Sequence, residues 1–209
     1  MPHNGVDTAD LILASQSPRR KYLLEQAGLT FRVMPSRIDE SKRPRSAPDD
    51  YVQSLAIAKA EDVARLHPDS WVLGADTIVA VDARMLGKPK SAQEARIMLR
   101  RLSGKTHHVF TGFCLCRRRT ARRVADTVRT EVTFKSLTDQ EIDWYINTGE
   151  PFDKAGAYAI QGLGTFLVRR INGSYTNVVG LPVCEVVEIL IREGVMGLEG
   201  RSIDQHIAG

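Results

Sequence analysis

The sequence predicts an α/β fold built on a mixed sheet. Apolar, β-branched runs typical of strands alternate with amphipathic helical segments, and no repeat or low-complexity tract interrupts this pattern. The chain has 209 residues, of which 43% are hydrophobic and 26% charged, as in an ordinary globular domain. We therefore expect one domain over residues 1–209, with its core over about 11–193. The ends, 1–9 and 197–209, carry no sustained apolar period, and we expect them to be flexible.

Short apolar runs rich in β-branched residues predict the strands. In chain order they cover residues 10–14, 31–34, 71–75, 77–81, about 107–117, about 122–134 and 166–169. Only Asp76 separates the runs 71–75 and 77–81, so a buried pair of strands would hold one acid at its centre. Residues 82–84 predict a turn after this pair. The arginine-rich stretch 117–123 predicts an exposed hairpin between the two longest strands.

Helical spacing of apolar residues, together with capping signals, predicts the helices. They cover residues 18–27, 49–66, about 92–103, about 139–149 and 182–193. Gly28 ends the first of them. Ser91 and Thr138 each precede a glutamate by three positions, which predicts a capping box at the third and fourth helices. In the second helix, Lys59 lies beside the apolar stripe and not at its centre.

Charge and cysteine content exclude several classes of protein. Twenty-nine Lys and Arg against 25 Asp and Glu give a net charge of +4, which attracts phosphates but does not make a dedicated nucleic-acid arm. Three cysteines cannot all pair within one chain, which favours a reduced, cytoplasmic protein. No run approaches the ~18 apolar residues of a membrane span, and residues 1–7 lack the pattern of a secretory signal. We therefore expect no membrane partner.

Residues 15–20 lie where a predicted strand passes into a helix. Backbone N–H groups at a helix N-terminus favour an anion. Ser15, Ser17, Arg19 and Arg20 add hydroxyl and guanidinium donors that suit a phosphate. An ordinary N-cap at Ser17, followed by solvated arginines, explains the same residues equally well. The glycine and lysine pattern of a P-loop is absent from this stretch, which argues against that class of ATPase.

Asp76 is the most informative single residue. An acid between two apolar runs either pairs with a cation or works as a perturbed or metal-bound carboxylate. The alternative is a residue that caps a turn between two strands. The β-branched residues that follow Asp76 favour function over a turn. Lys88 lies a hairpin's length later and would return beside this strand, although an exposed turn lysine is the commoner outcome.

Glu40 and Gln161 are further candidates for ligand contacts. Glu40, at the start of a loop rich in Pro and Arg, offers a second carboxylate for a divalent metal, or else is a solvated charge. Zinc spacings such as His-x-x-x-His are absent, which leaves oxygen ligation of magnesium or manganese. Gln161 lies among glycines in residues 153–164, where an amide can read a nucleobase edge. A mobile glycine loop is the alternative.

A set of short motifs follows in one order along the chain. They are LASQSPRR (13–20), LGADTIV (73–79), GKP (87–89), LSG (102–104) with His107, DKAG (153–156) and IQG (160–162). In this order they resemble the Maf family, septum-formation-inhibitor proteins that act as nucleoside triphosphate pyrophosphatases. The stretch NGSYTNVVGLP (172–182) resembles the branch acting on dTTP and UTP, not the branch taking 7-methyl-GTP. The resemblance implies a mixed, twisted sheet with helices in two lobes around a cleft, akin to the house-cleaning pyrophosphatases that remove inosine triphosphate.

The resemblance also implies roles for individual residues. Asp76 matches the catalytic acid that accepts a proton from water, and Glu40 matches an acidic residue that acts through a divalent metal, Mg²⁺ or Mn²⁺, with Co²⁺ as a further choice. A part in substrate choice is implied for Arg19, Thr77 and Gln161. Phosphate contacts are implied for Ser15, Ser17, Arg20, Lys59 and Lys88. Family members are often homodimers, although no stripe in this sequence identifies an interface.

These inferences lead to one main hypothesis and two competitors. The main hypothesis is a cytoplasmic, metal-dependent enzyme that converts dTTP, UTP and modified pyrimidine triphosphates to monophosphate and pyrophosphate, for house-cleaning or in connection with cell-division arrest. The first competitor is a regulator of septum formation that binds a partner or nucleic acid through the 117–123 hairpin, nucleic acid being the less expected of the two. The second is a phosphatase that releases orthophosphate, and the identity of the product separates it from the main hypothesis.

Overall fold

The structure, a computed structural model, describes residues 10–42, 44 and 46–197. The strands are β1 (Leu11–Leu13), β2 (Arg32–Val33), β3 (Trp71–Val81), β4 (Arg84–Leu86), β5 (Thr106–Arg117), β6 (Arg122–Phe134) and β7 (Val168–Asn172). The helices are α1 (Pro18–Gln26), α2 (Pro48–Ala64), α3 (Ala92–Leu102), α4 (Asp139–Asn147), α5 (Tyr175–Val179) and α6 (Val183–Arg192). Short 3₁₀ turns cover Glu40–Lys42, Glu150–Asp153, Ala155–Ala157 and Gly162–Leu167. These elements confirm the predicted α/β class.

The ends of the chain and the domain count stay predictions. The expected flexible ends, 1–9 and 197–209, lie outside the described residues except for Gly197. The single domain over 1–209 is likewise an expectation from length and composition.

Within the described residues, seven strands form one mixed sheet in the order β2-β1-β3-β5-β6-β7, with β4 also beside β3. β1 runs parallel to β2 and β3, whereas the other pairs are antiparallel. Along one edge of β3, β1 pairs with residues 71–73 and β4 pairs with residues 79–81. Residues 74–78 therefore have no strand partner on that edge within the described part of the chain. This gap opens the sheet at the centre of β3.

Apolar clusters pack the helices against both faces of the sheet. On one face, Leu73 and Ala75 of β3 pack with α1 and α6, and Val79 and Val81 pack with α3 and α4. The intervening residues of β3 face α2 on the other side, because successive side chains of a strand point to opposite faces. The core on the first face is thus divided at residues 76–78. This division is the two-part arrangement around a cleft that the resemblance implies.

Helix α2 lies close to the sheet because two strand residues are glycines. A Cβ on Gly74 would lie 2.4 Å from the carbonyl oxygen of Ala56, and a Cβ on Gly112 would lie 2.5 Å from backbone atoms of α2. Gly112 is the partner of Asp76 in the pairing of β3 with β5. Without room for a Cβ, only glycine permits this approach. The approach brings Lys59 of α2 to the centre of β3.

The structure corrects several predicted boundaries. The runs 71–75 and 77–81 form one continuous strand through Asp76, so a turn at that residue is wrong. The strand predicted over 166–169 is shifted, because a 3₁₀ turn continues to Leu167 and β7 begins only at Val168. Helix α5 is missing from the prediction, since its 5 residues are too short to show a helical period.

The predicted helix caps are mostly confirmed. Ser17 caps α1, and the capping box that begins at Thr138 is complete at α4. At α3, Ser91 accepts the N–H of Glu94, but the Glu94 carboxylate accepts the N–H of Lys90 and not that of Ser91. Of the two hydrogen bonds of the predicted capping box, the one to the Ser91 side chain forms and the one to the Glu94 side chain does not.

The cysteines and the helices relate to two predictions, that the thiols are reduced and that the chain has no membrane span. Cys114 and Cys116 are buried, Cys184 is exposed, and all three are free thiols. Among the helices of the described residues, none combines the length and apolar content that crossing a membrane requires.

Candidate active site

A cleft of about 680 Å³ opens beside the gap in the sheet. It is lined by the residues that sequence reasoning singled out: Ser15, Ser17, Arg19, Arg20, Glu40, Lys59, Asp76, Thr77, Lys88 and Gln161. These residues come from α1, α2, β3 and three loops, so the fold brings together positions that lie far apart in sequence. Their individual roles stay predictions. A volume of this size is typical of a site for a small molecule.

Lys59 lies between two carboxylates on the α2 side of β3. Its Nζ is 2.7 Å from Oδ1 of Asp76 and 2.7 Å from Oε1 of Glu40. The side chains of Lys59 and Asp76 are each 12% exposed, whereas that of Glu40 is 54% exposed. Burial makes pairing necessary for Asp76. The three side chains form an ion cluster that runs from the strand interior to the mouth of the cleft.

Asp76 and Glu40 are also the two residues predicted to hold a metal. Both reach the same ammonium, so the two carboxylates are close neighbours. Within the described residues, no group of three or more His, Cys, Asp or Glu side chains converges as a metal centre would. Magnesium often binds through one or two carboxylates, several waters and the phosphates of a substrate. The donor set therefore fits a divalent cation that arrives with a phosphorylated ligand.

Arg20 is buried on the opposite face of β3, where it joins three parts of the chain. It donates from Nε to the carbonyl of Gly180 (2.8 Å), from Nη1 to the carbonyl of Ala75 (2.8 Å) and to Ser15 Oγ (3.1 Å), and from Nη2 to Thr77 Oγ1 (3.0 Å). Burial lowers the pKa of Arg20. One N–H of its guanidinium has no partner among the described residues. Any contact of Arg20 with a phosphate depends on that group.

A chain of hydroxyls continues inward from Thr77. Its Oγ1 lies 2.9 Å from Thr111 Oγ1 and 3.3 Å from the carbonyl oxygen of Gly180, and Thr111 Oγ1 is 3.2 Å from the carbonyl oxygen of Asn177. Each hydroxyl has one hydrogen to donate. Two hydrogens cannot form all three bonds at once. With Thr111 donating to Asn177, the hydrogen of Thr77 goes to Thr111 or to Gly180, so it points into the protein. Towards the cleft Thr77 then offers only an acceptor.

Sequence reasoning missed Thr111 and Asn177. Both are fully buried, and Asn177 also donates from Nδ2 to Thr130 Oγ1 and to the carbonyl of Val109. The signal that identifies Thr111 is its pairing with Thr77 across β3 and β5. That signal requires the strand register, which the sequence pattern does not supply.

Cations line the mouth of the cleft. Nη1 of Arg19 lies 2.9 Å from Oδ2 of Asp153. The other oxygen of this carboxylate contacts Lys154, which was not among the residues selected from the sequence. Burial opposes ionisation of Asp153, but hydrogen bonds from Lys154 and Arg19 prevail and lower its pKa. Lys88 is exposed, and the loop before it is fixed by a hydrogen bond from the N–H of Gly156 to the carbonyl of Gly87.

Ser15 and Ser17 shape the start of α1. Ser17 Oγ accepts the N–H of Arg20, and Ser15 Oγ accepts the N–H of Ser17. The N-cap alternative is therefore confirmed for Ser17. Because both serines also line the cleft, this cap presents the positive end of the helix to the same space.

The arginine-rich hairpin lies outside the cleft lining. Arg119 pairs with Asp69, Arg122 with Glu193, and Arg123 with Glu61. These ion pairs neutralise much of the positive charge that a nucleic-acid surface would need.

Comparisons with known proteins agree with one another. The chain matches the family described as Maf-like protein over residues 10–193. It is 52% identical to a dTTP/UTP pyrophosphatase of Syntrophus aciditrophicus, over 97% of each chain. It is 53% identical to a protein of the same name from Geobacter sp. (90% of this chain, 98% of that one). A third protein of that name, from Myxococcus xanthus, is 52% identical (91% and 96%).

Among solved structures, a HAM1 protein from Coxiella burnetii matches this chain with a TM-score of 0.42 and 16% identity, over 60% of this chain and 73% of that one. This likeness is too weak to support a conclusion.

Proposed function

The chain belongs to the Maf family, and from this premise we propose that it is a pyrophosphatase cleaving dTTP and UTP to the nucleoside monophosphate and pyrophosphate. Relatives with about half of their residues identical carry that activity in their names. The proposal rests on one observation: two carboxylates (Asp76 and Glu40), several cationic side chains and the amide of Gln161 line one cleft of a size that suits a nucleotide.

The cations at the mouth of the cleft bind the triphosphate. Lys88 and Lys154 supply positive charge, and the N-terminus of α1 adds its dipole. Arg19, which pairs with Asp153 at the same mouth, takes part in selecting the base. Positioning and charge neutralisation account for most of the catalysis of phosphoryl reactions.

Asp76 accepts the proton of the attacking water. Lys59 contacts only Oδ1 of this carboxylate, and among the described residues no hydrogen bond reaches Oδ2. Lys59 thus orients the carboxylate of Asp76 while one oxygen stays available for a water near the α phosphorus. General bases held in this way contribute about 10²–10⁴-fold to a rate.

Asp76 and Glu40 are the residues that would hold a divalent cation, Mg²⁺ or Mn²⁺ by their oxygen donors. When bound, such a cation neutralises phosphate charge and makes a water more acidic. Lys59 keeps the two carboxylates together before the substrate arrives.

Three residues select the base. Thr77 presents an acceptor that suits the N3–H of uracil or thymine, whereas N3 of cytosine carries a lone pair and would repel it. Gln161 makes no side-chain hydrogen bond within the described residues, so its amide can pair with a carbonyl and an N–H of the base. Arg19 adds a donor. A base that leaves these groups unpaired is rejected.

A nucleotide panel tests the proposal. dTTP, UTP, CTP and dATP are incubated with Mg²⁺ or Mn²⁺, and pyrophosphate and orthophosphate are quantified separately. We expect pyrophosphate from dTTP and UTP, slow turnover of the other two, and loss of turnover with a chelator that added metal restores. No cleavage with either metal overturns the proposal, and orthophosphate as the first product would establish the phosphatase instead.

Several expectations remain predictions alongside this proposal. They are a cytoplasmic location, a homodimer, a link to cell-division arrest and action on modified pyrimidine nucleotides. The competing hypothesis of a binding regulator is less supported, because most hairpin arginines with described contacts are paired with acids. Replacing Arg118 and Arg122 with glutamate tests this hypothesis. If the chain acts as a binding regulator, the double variant loses its effect on cell division. Hydrolysis of nucleotides is expected to be unchanged.

A further inference from the structure

One carboxylate outside the cleft holds the loop that carries Gln161. Glu150 accepts the N–H of Gly164 on Oε1 (2.9 Å) and the N–H of Leu163 on Oε2 (2.9 Å). It also accepts the hydroxyl of Tyr145 on Oε1 (2.8 Å). The carboxylate is thus used in fixing the backbone that follows Gln161.

Tyr145 fixes the backbone on the other side of Gln161. This side chain is fully buried on α4, and its hydroxyl oxygen accepts the N–H of Ala159 (3.0 Å) while its hydrogen goes to Glu150. Two neighbouring side chains therefore hold the chain two residues before Gln161 and two to three residues after it.

The loop backbone lies directly against these two side chains. Gly162 has a φ of +73°, and a Cβ there would lie 2.6 Å from Oε2 of Glu150. A Cβ on Gly164 would lie 2.6 Å from the hydroxyl of Tyr145 and 2.3 Å from the carbonyl oxygen of Ala159. Glycine is required at both positions, so this loop is a fitted turn and not a mobile glycine stretch.

Neither Glu150 nor Tyr145 is among the residues that line the cleft, whereas Gln161 is. The amide of Gln161 makes no hydrogen bond of its own within the described chain, so the position of its backbone sets the region that the amide can reach. Ala159 and Ile160 of the same loop also line the cleft, but their side chains are apolar, so Glu150 and Tyr145 influence hydrogen bonds to a bound base through Gln161.

We propose that Glu150 and Tyr145 are positioning residues that determine base selectivity by fixing the backbone on both sides of Gln161. This inference rests on the proposed function, in which Gln161 contacts the base. The anchor consists of the hydrogen bonds of Glu150 and Tyr145 to residues 159, 163 and 164, and its loss lets the amide of Gln161 move relative to the base. Asp76 and Lys59 are not part of it, and Lys154 bonds to the backbone carbonyl of Glu150, which a side-chain substitution keeps.

The first variant is Glu150→Gln, which keeps the shape but replaces one acceptor oxygen by an NH₂ donor that faces another donor. Displacements of about 1 Å in a positioning group cost up to about 100-fold in rate. We expect kcat/KM for dTTP to fall roughly 10- to 100-fold, mainly through KM, and the preference for dTTP over CTP to narrow by a similar factor. Tyr145→Phe is expected to act in the same direction, and Glu150→Asp to recover part of the selectivity.

Glu141→Gln is the matched control. Glu141 is a glutamate of the same helix region that accepts backbone and lysine hydrogen bonds in the α4 capping box, away from the cleft. We expect this variant to lose some stability and to keep the preference for dTTP over CTP. An equal change of preference in both variants would show a general structural effect and overturn the proposal.

A double-mutant cycle with Gln161→Ala isolates the path of the effect. If Glu150 acts through Gln161, Glu150→Gln changes selectivity in the parent but not in the Gln161→Ala background. A full effect in that background overturns the proposal.

Hydrogen exchange of the Leu163 and Gly164 amides provides a readout independent of activity. We expect faster exchange in Glu150→Gln, and unchanged protection contradicts the anchor itself. If the parent protein cleaves no nucleoside triphosphate, the proposed function fails, whereas the exchange result still reports on the anchor.

Discussion

The ammonium of Lys59 lies 2.7 Å from Oδ1 of Asp76, and this ion pair joins helix α2 to the centre of strand β3. The pair forms because Gly74 and Gly112 let α2 approach the sheet without intervening Cβ atoms. Only one oxygen of Asp76 is used by Lys59. The other has no hydrogen bond among the described residues, and in the proposed mechanism it accepts the proton of the water. A single contact thus compensates a buried charge and orients the carboxylate.

Asp76→Asn tests the role of that oxygen. An amide cannot accept the proton of a water as a carboxylate does, so we expect kcat to fall by about 10²–10⁴-fold. The fold should persist, because Lys59 retains Glu40 as a partner. Pyrophosphate release and thermal unfolding measure the two effects.

Asp82→Asn is the control for that variant. Asp82 is an exposed acid in the turn after β3 and pairs with Lys105. We expect parent-like turnover from it. Parent-like turnover from Asp76→Asn as well would remove Asp76 from the catalytic role.

Gly112→Ala tests the contact of α2 with the sheet. The added Cβ would meet backbone atoms of α2 at 2.5 Å, and overpacking of this kind costs about 1–3 kcal/mol. We expect that loss in the free energy of unfolding by denaturant. Gly87→Ala, where a Cβ meets nothing within 4 Å, should change it by less than about 0.5 kcal/mol. Equal stability of both variants would contradict the close approach.

Thr111→Val tests the hydroxyl chain behind Thr77. The variant keeps the shape but removes the partner of Thr77 Oγ1 that lies 2.9 Å away. The hydrogen of Thr77 then has only the longer contact of 3.3 Å to the carbonyl oxygen of Gly180, so it turns more easily towards the cleft. A hydroxyl that donates no longer excludes the N3 lone pair of cytosine. We expect the preference for dTTP over CTP to fall about tenfold, the equivalent of about 1.4 kcal/mol.

The preference is measured as the ratio of kcat/KM for the two substrates. Thr106→Val is the matched control, because Thr106 lies on the same strand, β5, and makes an exposed hydroxyl pair with Thr133 of β6. An unchanged ratio in Thr111→Val would show that Thr77 does not need this partner.

Because His107 is buried, we expect the free energy of unfolding to decrease as the pH falls. Burial, with a smaller contribution from His108, lowers the pKa of His107 to about 3 from an ordinary value of 6.5. Between these values the unfolded chain binds a proton that the folded chain does not, so unfolding becomes easier as pH falls. The contribution of this group is fully present above pH 6.5 and is lost as pH falls towards 3, by up to about 1.4 kcal/mol per pH unit.

Denaturant unfolding from pH 7 to pH 4 measures this slope. His107→Phe keeps the aromatic packing against Phe134 but removes the titrating group and the bond to the Tyr158 hydroxyl. We expect it to be less stable than the parent at pH 7 and to show a shallower slope. Parallel slopes in the two proteins would exclude His107 as the source.

Much of the local structure can be predicted from the sequence. The N-cap at Ser17, the capping box at Thr138 and the two long strands around the arginine hairpin follow from local composition and periodicity. The 3₁₀ turns around Gln161 and the short helix α5 do not, because they contain too few residues for a period to appear. Their conformation depends on distant partners such as Glu150.

Local sequence patterns specify the alternation of strands and helices, the positions of the motifs and the family resemblance. The packed fold establishes which side chains meet: Lys59 between two carboxylates, Thr111 behind Thr77, and Glu150 beneath the loop of Gln161. The reason is that periodicity encodes which face of an element is buried. Contacts between elements depend on strand register and helix approach, which arise only when the whole core packs.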